Sequence, residues 1–166
     1  MRVFAGQLLA RREYAVQELQ ARLLKKWSGK GLGNEPSNDA EQSFGKGDTS
    51  QAIGPLIANL ITTLQAEGAL SDERFADSFI RSRCQRFQGP LKIQAELRQR
   101  GVPEHLIESQ MQERAEEWVP LAESWLSRQT SGALDFAGRA RYYRRLINRG
   151  FTHQQAMAAL PEFSEQ

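Results

Sequence analysis

Three short segments of the chain repeat one apolar pattern. In FAGQLLARR (4–12), FADSFIRSR (75–83) and LAESWLSRQ (121–129), Phe4, Phe75 and Leu121 align, as do Ala5, Ala76 and Ala122. Leu8, Phe79 and Trp125 follow, then Leu9, Ile80 and Leu126. Apolar residues at i, i+1, i+4 and i+5 share one face of a helix. A second pattern comes after the first. LKIQAELRQRGV (91–102) matches ARYYRRLINRGF (140–151), pairing Ile93 and Leu97 with Tyr142 and Leu146, and Gly101 with Gly150. ELQARLLKKW (18–27) supplies Leu19 and Leu23 at the same spacing but lacks the closing glycine. A third helix closes each set. AIGPLIANLITTLQAEG (52–68) has apolar residues at 53, 56, 57, 60, 61 and 64, and PEHLIESQMQERAEE (103–117) and THQQAMAAL (152–160) are its counterparts.

The punctuation agrees with this parsing. Gly89-Pro90 puts proline at a helix start, where its missing N–H costs nothing. Gly101 and Gly150 suit the left-handed residue that ends a helix, with apolar Val102 and Phe151 after them. Thr152 and Gln155 have capping-box spacing, and Asp135 is placed to cap the helix that follows it. The first helix recurs at an offset of 71 residues and then of 46. The excess lies in SGKGLGNEPSNDAEQSFGKGDTS (28–50), which has too few apolar residues to offset its chain entropy and reads as a flexible insertion. The expected fold is all-α. It has three tandem three-helix repeats (1–70 with the insertion, 71–115 and 116–166) stacked into an elongated, curved array.

Charge adds a second layer. The chain carries a formal net charge of only +2. Yet 81–101 holds six basic residues and one acid, Glu96, and 138–150 holds five arginines and no acid. Acidic blocks separate them. Arg81, Arg83, Arg86, Lys92, Arg98 and Arg100 in the second repeat form one candidate surface for a polyanion with Arg139, Arg141, Arg144, Arg145 and Arg149 in the third. Lys92 aligns with Arg141 and Arg100 with Arg149.

Other chemistries find little support. Cys84 is the one cysteine, so no internal disulfide forms. Cys84, His105 and His153 fall in different helices and make no zinc set, and GKGLGN and GKGDTS lack P-loop spacing. No catalytic group, metal or cofactor is expected. No apolar run approaches the ~18 residues of a membrane span. The start, MRVFAGQLLARREYAV, is interrupted by Arg11, Arg12 and Glu13 and is no signal peptide. A cytoplasmic protein is expected. GPLKIQAELRQRGVPEHLIESQM also reads as helix, turn, helix, so a DNA-binding transcription regulator is the alternative. Its would-be recognition helix is acidic, which a duplex groove repels.

The stretch EGALSDERFADSFIRSRCQRFQGPLKIQAELRQRGV resembles the RecX family of bacterial recombination regulators. The marks are Asp72-Glu73-Arg74-Phe75, the Arg81–Arg83 cluster, Gly89-Pro90, Ile93 with Glu96-Leu97, Gly101-Val102, Glu117-Trp118 and Arg149-Gly150-Phe151. The family places an aromatic directly before Gly-Pro. Here Gln88 stands there and Phe87 one residue earlier. The resemblance implies three tandem three-helix repeats. It also implies a monomer that binds the RecA recombinase filament on single-stranded DNA and damps its ATPase and strand exchange in DNA repair, recombination and the SOS response. DNA contact would be weak and independent of sequence.

Shortening 28–50 to a brief linker is expected to leave the helical circular-dichroism signal and the thermal midpoint nearly unchanged. Loss of cooperative unfolding would show that the tract packs on the repeats.

Overall fold

The computed structural model describes residues 1–28, 49–130 and 134–161. Among these residues it has nine α-helices and no strand. They are α1 (Arg2–Leu9), α2 (Val16–Ser28), α3 (Thr49–Ala66), α4 (Asp72–Cys84), α5 (Pro90–Gln99), α6 (Glu104–Glu113), α7 (Trp118–Ser127), α8 (Phe136–Asn148) and α9 (His153–Ala159). A 3-10 turn, Ala115–Glu117, precedes α7. The helices divide between two compact units, Met1–Asp72 and Glu73–Gln166. Of the tract read as an insertion, Ser28 ends α2 and Thr49 begins α3; residues 29–48 lie outside the described residues.

In the first unit α2 packs against α3, and Leu19 and Leu23 bury with Ile57, Ile61 and Leu64. Ala5 and Leu8 of α1 join them, with Tyr14 and Leu70. Leu56, expected in the α3 stripe, is 56% exposed. Residues 57, 61 and 64 define the buried face, and Leu56 lies about a hundred degrees around the helix from Ile57. The first N–H of α2 has no intrahelical acceptor. Val16 N–H donates instead to the Asp72 carboxylate at 2.8 Å. Burial pushes the Asp72 carboxyl up from its usual range, and this hydrogen bond opposes the shift.

The second unit holds six helices. Phe75, Ala76 and Ile80 of α4, Ile93 and Leu97 of α5, and Ile107 and Met111 of α6 are buried. Trp125 and Leu126 of α7 bury with Tyr142 and Leu146 of α8, Ala156 of α9, and Phe151. Two helix endings follow one design. Gly101 and Gly150 have φ of 75° and 91°. Gly101 N–H bonds to Arg98 O and Val102 N–H to Leu97 O; Gly150 N–H bonds to Ile147 O and Phe151 N–H to Leu146 O. This Schellman pattern satisfies carbonyls that the helix leaves open and drops the next apolar residue into the core. At the starts, Asp135 accepts from Gly138 N–H, and Thr152 and Gln155 form the reciprocal capping box.

Two further expectations change. The third helix of the second repeat ends at Glu113, not 117, and the chain turns through Arg114. Arg114 donates to the Gln110 side chain at 2.8 Å and pairs with Asp77, so the buried amide of Gln110 has a partner. Phe79, expected in the core beside Leu97 and Leu146, is only partly buried. The guanidinium groups of Arg83 and Arg100 lie over its ring, 4.4 and 4.6 Å from the centroid.

Leu97→Ala and Leu146→Ala, both at fully buried sites, are each expected to cost about 2–5 kcal/mol in denaturant melts. Phe79→Ala should cost roughly half as much, because less apolar surface returns to water. Silence of both leucine variants would refute the repeat alignment.

Candidate functional site

The end of α8 meets the start of α5. The carbonyls of Arg149 and Gly150 lie past the last turn of α8, and the amides of Gly89 and Leu91 lie in the first turn of α5. Neither set has partners inside its own helix. They pair with each other: Gly89 N–H donates to Arg149 O at 2.8 Å, and Leu91 N–H to Gly150 O at 2.9 Å. The partial charges of the two helix ends are opposite, which favours the contact further. Such an approach requires that both backbones be bare. A Cβ built on Gly89 would stand 2.3 Å from Phe151 N and 2.4 Å from Gly150 C, and one on Gly150 would stand 2.5 Å from Lys92 Cβ.

The chain before Gly89 adapts to this junction. Phe87 has φ of 55°, the left-handed region that favours glycine. Such a conformation costs a bulky residue about 1–3 kcal/mol. Its ring packs against the core of the third repeat, with the Arg128 guanidinium 4.7 Å away, and this offsets the strain. The aromatic one place early is therefore the residue that turns the chain. Arg149 then ties the loop down, donating to Arg86 O at 3.0 Å and Phe87 O at 3.3 Å from above the Trp125 ring. Burial, and secondarily Arg145, push the Arg149 guanidinium below its usual value.

Around the junction lies a cleft of about 500 Å³. Four of the candidate cations meet there: Arg86, Lys92, Arg145 and Arg149. No carboxylate lines it. Arg86, Lys92 and Arg145 are exposed. Arg141 stands one turn before Arg145, also exposed, with its guanidinium 5.0 Å from the Tyr142 centroid.

The other candidates behave differently. Arg83 forms a two-point pair with Glu96, at 2.9 Å through Nε and 2.7 Å through its terminal nitrogen, with only 17% of its side chain exposed. Arg100 donates to Glu96 O at 2.9 Å and approaches the same carboxylate at 3.9 Å. Arg81 pairs with Asp77 and Arg98 with Glu104. The Arg98 hydrogen bond holds the Glu104 carboxyl below its usual range, and Glu104 holds the Arg98 guanidinium above its own. In the third repeat, Arg139 donates to Pro161 O. Arg144, exposed, donates to Ala140 O at 3.3 Å. Thus four of the second-repeat cations are neutralised by acids, and Arg86 and Lys92 are not.

Residues outside the candidate set also line the cleft: Gln88, Gln129, Asn148 and Trp125. Gln88 interrupts the expected aromatic before Gly-Pro, and Asn148 sits three residues from Arg145. These were the only signals in the sequence. His153 receives no ligand role; its Nδ1 lies 3.0 Å from the Tyr143 hydroxyl. Among the described residues no group of three or more His, Cys, Asp or Glu is placed to hold a metal, and no helix is long and apolar enough to cross a membrane.

Comparison with known proteins agrees with this architecture. The family profile described as "RecX, second three-helix domain" matches residues 71–110. A regulatory protein RecX from Chromohalobacter salexigens is 36% identical over 157 residues, spanning 94% of this chain and 88% of that protein. One from Halorhodospira halophila is 31% identical, spanning 93% and 83%. The crystal structure of RecX from Lactobacillus salivarius superposes with a TM-score of 0.68 at 14% identity, over 95% of this chain and 90% of that one. A second structure, of regulatory protein RecX, superposes with a TM-score of 0.63 over 94% and 68%. The chain belongs to the RecX family.

Gly89→Ala is expected to destabilise the second unit by about 1–3 kcal/mol or more, because the methyl meets backbone that has no room to yield. Gly6→Ala, where nothing lies within 4 Å, should be neutral or stabilising. Denaturant melts of the two variants test this. Equal behaviour would show that the close approach of Gly89 and Gly150 does not set the junction.

Proposed function

We propose that this RecX family member binds RecA filaments on single-stranded DNA and inhibits their ATPase and strand-exchange activities, and so acts in recombination and DNA repair. The observation that carries this reading is an exposed row of arginines without acidic partners. Arg141, Arg144 and Arg145 are exposed on α8. Among the described residues no ion pair neutralises them. Like charges set close together on one helix repel, so a helix that serves only solubility interleaves them with acids. The second repeat does this, with Arg81, Arg83, Arg98 and Arg100 each beside a carboxylate. Uncompensated cations on α8 suit a surface that receives the anionic backbone of DNA or an acidic face of the filament.

Family membership supplies the regulatory role; the relatives above are called regulatory proteins. DNA contact of this kind is electrostatic and independent of base sequence. The binding unit is a monomer, with successive helices offered to a repetitive partner.

Reversing Arg141 and Arg145 to Glu should leave the helical signal intact and weaken inhibition of RecA filament ATPase, with a smaller dependence on salt. Removing two phosphate interactions would lower the slope of log affinity on log salt by about 1–1.5. Titrating inhibition at two salt concentrations measures this. A double variant that inhibits like the parent at both would remove this face as the binding surface.

A further inference from the structure

The cleft at the α5–α8 junction has a composition that the arginine row on α8 lacks. Its volume, about 500 Å³, falls in the range of small-ligand sites. Lys92, from the first turn of α5, and Arg145, near the end of α8, line it with exposed side chains, and Arg86 joins them from the loop after α4. Arg149 is committed to the carbonyls of Arg86 and Phe87 and supplies a fixed positive charge. These groups call for an anion.

The cleft also holds three side-chain amides: Gln88, Gln129 and Asn148. Gln88 Oε1 is buried and accepts no hydrogen bond. Buried acceptors are normally paired, so this one has an unmet demand for a donor. A bare phosphate ester would meet the cations and leave the amides unused. A base edge presents donors and acceptors together, as an amide does, and so matches them. An acidic peptide offers carboxylates and backbone N–H groups, but three paired donor–acceptor side chains suit an unpaired base better. A duplex has that edge occupied.

We propose that this cleft receives one nucleotide of a single strand, with its phosphodiester among Lys92, Arg145 and Arg86 and its base edge on the amides of Gln88, Gln129 and Asn148. The site deepens the filament-binding reading and rests on it only for the identity of the polyanion. A turn of the half-buried Gln88 side chain would bring its buried oxygen to the base edge and relieve its cost to the free protein.

The test uses the full chain without recombinase. Anisotropy of a labelled oligodeoxythymidylate of about a dozen nucleotides follows binding at two salt concentrations. Lys92→Gln with Arg145→Gln should lower the salt slope by about 0.7, the value for one phosphate neutralised on a single strand. Gln88→Leu should weaken binding about tenfold with the slope unchanged, while raising the thermal midpoint, because it removes an unpaired buried acceptor. A merely structural Gln88 would not move the two readouts in opposite directions. Should Gln88→Leu lose its helical signal, Asn148→Ala, at an exposed position of α8, reads the same amide contribution. Lys25→Gln, exposed in the first unit, controls for net charge and should bind as the parent does.

Displacement of the oligonucleotide by an abasic strand or by polyglutamate as readily as by unlabelled oligonucleotide would overturn the proposal. So would unchanged binding in the amide variant. A parent that ignores the oligonucleotide yet inhibits filament ATPase would overturn this site and leave the filament reading standing. One that binds the oligonucleotide through the cleft but leaves filaments untouched would do the reverse.

Discussion

The charged cleft of the second unit depends on one contact, the end of α8 set against the start of α5. Two hydrogen bonds, Gly89 N–H to Arg149 O and Leu91 N–H to Gly150 O, join groups that each helix leaves without partners. The bonds form because neither Gly89 nor Gly150 carries a side chain that would hold the backbones apart. Three consequences follow from this geometry. Phe87 must reverse the chain in a left-handed conformation to deliver Gly89. Arg149, the residue that caps α8, lies within reach of the carbonyls of Arg86 and Phe87. And Lys92, in the first turn of α5, comes to share a cleft with Arg145, one turn back along α8. The cluster of cations is thus built from backbone, and its position does not rely on the charges themselves.

Charge in this unit is of two kinds. In the second repeat Glu96 organises it. Its Oε2 takes two nitrogens of Arg83, and Arg100 reaches the same oxygen from one turn later, with both guanidinium groups over Phe79. A planar guanidinium can serve a carboxylate along its edge and an aromatic ring with its face. These arginines link α4 to α5 and present little net charge. In the third repeat α8 carries its arginines without acids, and Arg141 and Arg145 are exposed beside the ring of Tyr142. Exposed pairs are worth little to stability. The distinction between the repeats therefore matters most for what each can attract.

The sequence was most informative where structure is local. Gly101, Gly150, Asp135 and Thr152 do what their types and neighbours predict, because a cap is settled within four or five residues. The buried positions of Leu97 and Leu146 follow from periodicity alone. Charge was less legible. A count along the chain treats 81–101 as a basic block with a single acid, whereas the fold brings in Asp77 and Glu104 from neighbouring blocks and lets Glu96 face two arginines. Pairing of this kind depends on which helices meet, and a linear sum carries no such information. The amides of the cleft were invisible for another reason. Glutamine and asparagine are common on helix surfaces, and only Gln88, standing where an aromatic was expected, departs from a pattern. The early end of α6 was hidden likewise, since Arg114 leaves the helix to reach Asp77 across 37 residues of sequence.

The same electrostatics weigh against a helix-turn-helix reader of duplex DNA. In that reading α6 would enter the major groove, and its first turns would meet the phosphates. Those turns expose Glu104 and Glu108, and Glu104 already holds Arg98. The free positive charge lies on α8 and in the junction cleft instead. There the backbone positions of Lys92 and Arg145 are set by the helices that hydrogen bonds join, and Arg149 is tied to the carbonyls of Arg86 and Phe87. An anion arriving at such a site has only the side-chain ends to order, because folding has already brought their backbones together. Preorganisation of this sort favours a partner with regularly spaced negative charge over one that needs an induced fit. A single strand extended within a protein filament is such a partner.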